Sequence, residues 1–81
     1  MEKNFNLEIK LPKVHDIELV AIEALERMGK HFEISDEKIN EAKLLVAEAI
    51  LNGFEHSGIE NPYVNVKFEM TKEKLTIFVT D

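Results

Sequence analysis

Phe5, Leu7, Ile9 and Leu11 alternate with Asn6, Glu8 and Lys10, and a period of two reads as a strand with one buried face. Pro12 is expected to end it. From there the spacing changes: Val14, Ile17, Ala21, Ala24, Leu25 and Met28 recur at helical intervals, and Gly29 is placed to supply the left-handed residue that commonly closes a helix. Ser35 can cap a second helix by accepting a backbone N–H, with Asp36 and Glu37 against the positive end of its dipole and Gly58 closing it. Beyond Asn61 and Pro62, Val64, Val66, Phe68 and Met70 alternate again. Thr71 to Lys74 form a polar turn, and Leu75, Ile77 and Val79 resume the alternation, which predicts a β-hairpin. The order strand, helix, helix, strand, strand predicts an α+β fold. A mixed or antiparallel sheet, with strands near Asn4 to Leu11, Tyr63 to Met70 and Leu75 to Thr80, carries both helices on one face.

Composition narrows the possible chemistry. At 81 residues the chain forms one domain at most. It contains no cysteine, which removes disulfides, thiolate metal sites and cysteine nucleophiles and fits the cytoplasm. The N-terminal segment alternates and so lacks the continuous apolar stretch of a signal peptide, and no membrane span is expected. The net charge of −6 argues against direct nucleic-acid binding, which needs clustered Lys and Arg on phosphates.

The second helix departs from the single apolar stripe that suffices on one side of a sheet. Leu44, Leu45, Val46, Ala47, Ala49, Ile50 and Leu51 cover more of its circumference, and only Lys43, Glu48 and Asn52 interrupt them. At about 100° per residue, Ile39, Val46, Ile50 and Gly53 share the face expected against the sheet, and Glu48, Asn52 and His56 run down the opposite side. Side chains at that spacing lie roughly 6 Å apart, within reach of one ligand. A polar stripe flanked by leucines suggests a pocket, although the same spacing is common on solvated helix faces. Zinc would require three or four ligands, and His15 and His31 fall near the ends of the first helix. A nucleophile triad has no cysteine to use, and neither Ser35 nor Ser57 has an evident base.

The run Glu48-Ala49-Ile50-Leu51-Asn52-Gly53-Phe54-Glu55-His56-Ser57-Gly58 resembles the N-box helix of the histidine-kinase-like ATPases (the Bergerat fold), and most closely their anti-sigma factor serine kinase branch. The match lies at Glu48, Ala49, Asn52, Gly53 and His56. The surrounding element order agrees, and the last strand reads Leu75-Thr-Ile-Phe-Val-Thr-Asp81, where the family continues into an Asp-x-Gly-x-Gly box. On this resemblance residues 1–81 are the N-terminal part of a single ATP-binding domain, an α/β sandwich cut before its lid and C-terminal strands. Gly53 stands where the family usually has Ala, which points to close backbone packing.

The resemblance implies ATP and Mg²⁺ as cofactors. Glu48 would be the general base, drawing a proton from a partner's serine hydroxyl in the kinase branch or from water in ATPase branches. Asn52 would hold Mg²⁺ through its amide oxygen, Asp81 would accept a hydrogen bond from the adenine amine, and His56 would line the phosphate side of the pocket or orient the helix end. The parent would be an ATP-dependent serine/threonine kinase that binds a sigma factor and phosphorylates an anti-sigma factor antagonist, acting as a homodimer in transcription regulation. The glycines that cradle the triphosphate are not in this sequence, so the fragment alone is expected to be inactive. Two alternatives remain: the catalytic domain of a sensor histidine kinase, and a non-catalytic dimerisation module with a vestigial site. A Gly-x-Gly encoded after Asp81 would favour an enzyme over the module.

Overall fold

The structure, a computed structural model, describes residues 5–57, 63–71 and 73–80. Five elements follow in the order β1 (Phe5–Pro12), α1 (Glu18–His31), α2 (Asp36–Ser57), β2 (Tyr63–Met70) and β3 (Leu75–Thr80). The strands form one sheet in the order β1-β2-β3, and both pairings are antiparallel. The expected α+β arrangement is therefore present, with an antiparallel rather than a mixed sheet. Asn4 and Gly58 lie outside the described residues.

Register follows from the period of two. Leu7, Phe68 and Ile77 stand side by side across the three strands, as do Ile9, Val66 and Val79. These rows form the inner face and join Leu11, Val64 and Met70 in one core with Ala21, Leu25 and Met28 of α1 and Val46, Ile50 and Phe54 of α2. None of the polar or charged residues described is buried, so burial of apolar surface carries the core with no polar group to compensate. Phe5 meets Phe32 edge to face at 5.9 Å between centroids, which ties the start of β1 to the end of α1.

Two expectations about the first helix need correction, while Pro12 ends β1 as expected and is its last residue, opposite Tyr63. Its missing N–H is tolerated because β1 is an edge strand. The first helix does not begin near Val14. Asp16 adopts a left-handed conformation (φ 62°), which interrupts any helical run, and α1 starts at Glu18. Gly29 does not close α1. It is buried inside the helix, and the closing left-handed residue is Glu33 (φ 60°). There Ile34 N–H donates to the Gly29 carbonyl at 2.9 Å and Glu33 N–H to the Lys30 carbonyl at 3.1 Å, the paired bonds that satisfy a helix C-terminus.

The other end signals act as the residues imply. Ser35 Oγ accepts from the Lys38 N–H at 3.3 Å at the start of α2, meeting one of the donors the first turn leaves free. In the hairpin, Thr71 N–H donates to the Lys74 carbonyl at 2.8 Å, and Thr71 Oγ accepts from the Glu73 and Lys74 N–H groups.

Candidate functional site on helix α2

Within α2, Ile39, Ala42, Val46, Ile50 and Phe54 are buried, so the face assigned to the core is the one that packs. Gly53 belongs to that face. A Cβ built there would stand 3.2 Å from Val64 Cγ2 and 3.6 Å from Val79 Cγ1, so the helix backbone rests almost directly on the sheet. On its other side α2 lies against α1 in antiparallel fashion. Gly29 of α1 approaches so closely that a Cβ there would be 2.7 Å from Ile39 Cδ1, and farther along Lys43 Nζ donates to Glu26 Oε1 at 2.8 Å. The sequence showed Lys43 only as an interruption of apolar positions. A signal lay in the wheel, which turns Lys43 to the flank that α1 covers, where a long cation needs a partner.

Glu48, Asn52 and His56 lie on the remaining circumference and are exposed. Among the described residues nothing packs over this stripe, so the pocket suggested by its leucines has the helix as a floor and no opposite wall. Its placement is nonetheless specific. With Gly53 over Val64 and Val79, the turn bearing Asn52 stands at the C-terminal end of β3, whose last residue is Thr80. Asp81, which follows Thr80 in sequence, lies outside the described residues.

This match of motif, element order and helix placement has a counterpart among known families. Residues 12–81 match the family described as histidine kinase-like ATPase domain. The chain belongs to that family. Neither a curated relative nor a solved structure matches it.

For a histidine kinase-like ATPase domain, the donor set on α2 is suited to a hard cation: an amide oxygen and a carboxylate one turn apart, with no thiolate. No group of three or more His, Cys, Asp or Glu able to hold a metal occurs among the described residues. His15 instead faces Asp16 at 3.3 Å at the surface, and His31 meets Phe32 edge on at 5.2 Å. No helix among the described residues is long and apolar enough to cross a membrane.

The domain also has an open depression that the sequence reading did not single out. It lies on the outer sheet face, measures ≈ 500 Å³ and is lined by Glu8, Lys10, Asn65, Lys67, Phe78 and Thr80. Lys10 sits over the Tyr63 ring at 4.7 Å and Lys67 over Phe78 at 5.9 Å, so both cations are held along the sheet by ring faces.

Proposed function

We propose that this chain is the N-terminal part of an ATP-binding regulatory domain of the anti-sigma factor serine kinase type. The observation that carries the reading is the contact of Gly53 with Val64 and Val79. It sets the turn that bears Asn52 over the sheet near the end of β3, and this supports a reading in which the exposed stripe and Asp81 serve one ligand. In this reading Asn52 holds Mg²⁺ through its amide oxygen, and Asp81 accepts from the adenine amine, a contact guanine cannot make. Bound there, the cation would neutralise phosphate charge. Glu48, one turn from Asn52, takes the proton of the attacking hydroxyl, and its exposure leaves it within reach of a serine on a partner protein. His56 continues the stripe and has no assigned step. The partners in this reading are a sigma factor and its anti-sigma factor antagonist, in a cytoplasmic homodimer.

The test is titration of a fluorescent ATP analogue into the gene product with and without magnesium. Asn52→Ala is expected to abolish magnesium-dependent binding, whereas Glu48→Ala spares binding and removes phosphoryl transfer. Equal loss of binding in both variants would undo the division of roles, and magnesium-independent binding by the parent would remove Asn52 as the metal ligand.

The open stripe favours a second reading, in which the family fold serves as an interaction module and the nucleotide site is vestigial. A parent protein that shows no adenine-nucleotide binding at millimolar concentration would decide for it.

A further inference from the structure

The solvent side of α2 carries a pattern that the core does not use and that shares only Glu48 with the candidate nucleotide site. Leu44 is 71% exposed and Leu51 52% exposed. Seven residues apart, they fall within about 20° of one another on the helix and form a ridge. Glu41, Glu48 and Glu55 repeat at the same interval, all exposed, and form a parallel row about 20° to 80° to one side of the leucines. On the other side lies α1. Because Glu26 meets Lys43 and the two helices run antiparallel, Leu19, seven residues before Glu26 and 52% exposed, stands abreast of the turn from Ala47 to Leu51. Glu23 on α1 is exposed as well. Among the described residues the cations nearby are Lys43, which is engaged by Glu26, Lys38, one turn before Glu41 and on the side of the glutamate row away from the leucines, and Arg27 and Lys30, which lie toward the opposite end of α1.

An apolar strip bordered by one sign of charge selects its occupant. A second copy laid antiparallel along the ridge would set the glutamate row against itself, because like flanks meet in antiparallel helix pairs. Anionic lipid would be repelled, since helices that lie on membranes carry Lys and Arg on their polar face. We infer that Leu19, Leu44 and Leu51 form a docking ridge for an amphipathic helix of another protein whose apolar strip is bordered by Lys or Arg. Leucines at this spacing are the anchor pattern of helix recognition, and the acidic border supplies register and speeds encounter.

The test uses the intact chain and two labelled peptides of about 18 residues, or five helical turns, one built of Leu and Lys as an amphipathic helix and one of Leu and Glu. Fluorescence anisotropy is expected to show saturable, micromolar binding of the Leu/Lys peptide and none of the Leu/Glu peptide. The Leu44→Ser/Leu51→Ser double variant changes no charge and is expected to weaken binding about tenfold or more, as is Glu41→Lys/Glu55→Lys. All four positions are exposed, so circular dichroism of both variants is expected to match the parent. Equal binding of the two peptides, absence of binding by the Leu/Lys peptide, or full binding by the serine variant would overturn the inference. Sedimentation showing parent self-association that the serine variant loses would assign the ridge to a second copy, and flotation of the parent with anionic vesicles would assign it to membrane. Either result overturns it too.

Discussion

Gly29 and Gly53 both sit inside helices, where glycine costs about 0.8 to 1 kcal/mol relative to alanine, and their surroundings set opposite outcomes for filling them. At Gly29 a methyl group would lie 2.7 Å and 2.8 Å from two atoms of Ile39, a buried side chain in the seam between the helices. Overpacking costs about 1 to 3 kcal/mol, more than the helix gains, so Gly29→Ala is expected to lower stability by about 1 kcal/mol in urea unfolding. At Gly53 the nearest atom is 3.2 Å away, a gap that a few tenths of an ångström relieves. Gly53→Ala is expected to raise stability by about 0.5 kcal/mol; a loss above about 1 kcal/mol would mean that Val64 cannot yield. Glu33 presents the converse case. Its left-handed backbone (φ 60°) costs an L-residue about 1 to 2 kcal/mol, part of which glycine gives back as freedom in the unfolded chain. Glu33→Gly is expected to raise the thermal midpoint, and an unchanged midpoint would show that the side chain contributes as much as the backbone strain costs.

At the scale of elements, the helix pair is fastened at the solvent edge of its seam by the Glu26–Lys43 bridge. The hydrogen bond from Lys43 and then its charge, with smaller contributions from Lys30 and Arg27, hold the Glu26 carboxyl below its ordinary value of 4.5. A carboxylate lowered on folding adds stability that is complete above its unfolded value and is lost as pH falls through the folded one. Glu26→Gln is therefore expected to melt below the parent at about pH 7 and with it at about pH 2.5. A gap of constant size across that window would place the effect in packing rather than charge.

Most of these elements were legible in the sequence because their patterns have one cause. Alternation in residues 5–11 and 64–79 comes only from a sheet with one covered face, and Ser35 before two acids has few uses besides a cap. Gly29 was misread because two demands select the same residue: a left-handed helix end and a close helix–helix approach both favour glycine, and spacing does not separate them. Asp16 gave no sign of its left-handed conformation, since aspartate is equally common in helix first turns. For the candidate site, the residue types and one-turn spacing of Glu48 and Asn52 could be read from the helix alone. Which element would wall the stripe could not, because spacing along one helix does not encode what packs over it.

For the molecule as a whole, the sheet edges differ in character. β1 carries Glu8 and Lys10 and ends in Pro12, features that discourage further strand pairing. β3, Leu-Thr-Ile-Phe-Val-Thr, has neither charge, proline nor glycine, and among the described residues it pairs on one side only. A bare, uncharged, β-branched edge is an acceptor for another strand. The chain is expected to associate with itself as concentration rises, and Phe78→Lys, at an exposed position of that strand, is expected to suppress this in sedimentation velocity. A parent that stays monomeric at high concentration would show that the β3 edge does not recruit.

The bare backbone at Gly53 acts as a gauge block between helix and sheet. With no side chain interposed, the height of the Asn52 turn above the strand end is fixed by the thickness of two valines, and a small displacement of β3 carries that turn with it. A bulky residue at position 53 would act as a shim, lifting the turn that bears Asn52 off the sheet without altering any polar group, and so would shift the candidate site by mechanics alone.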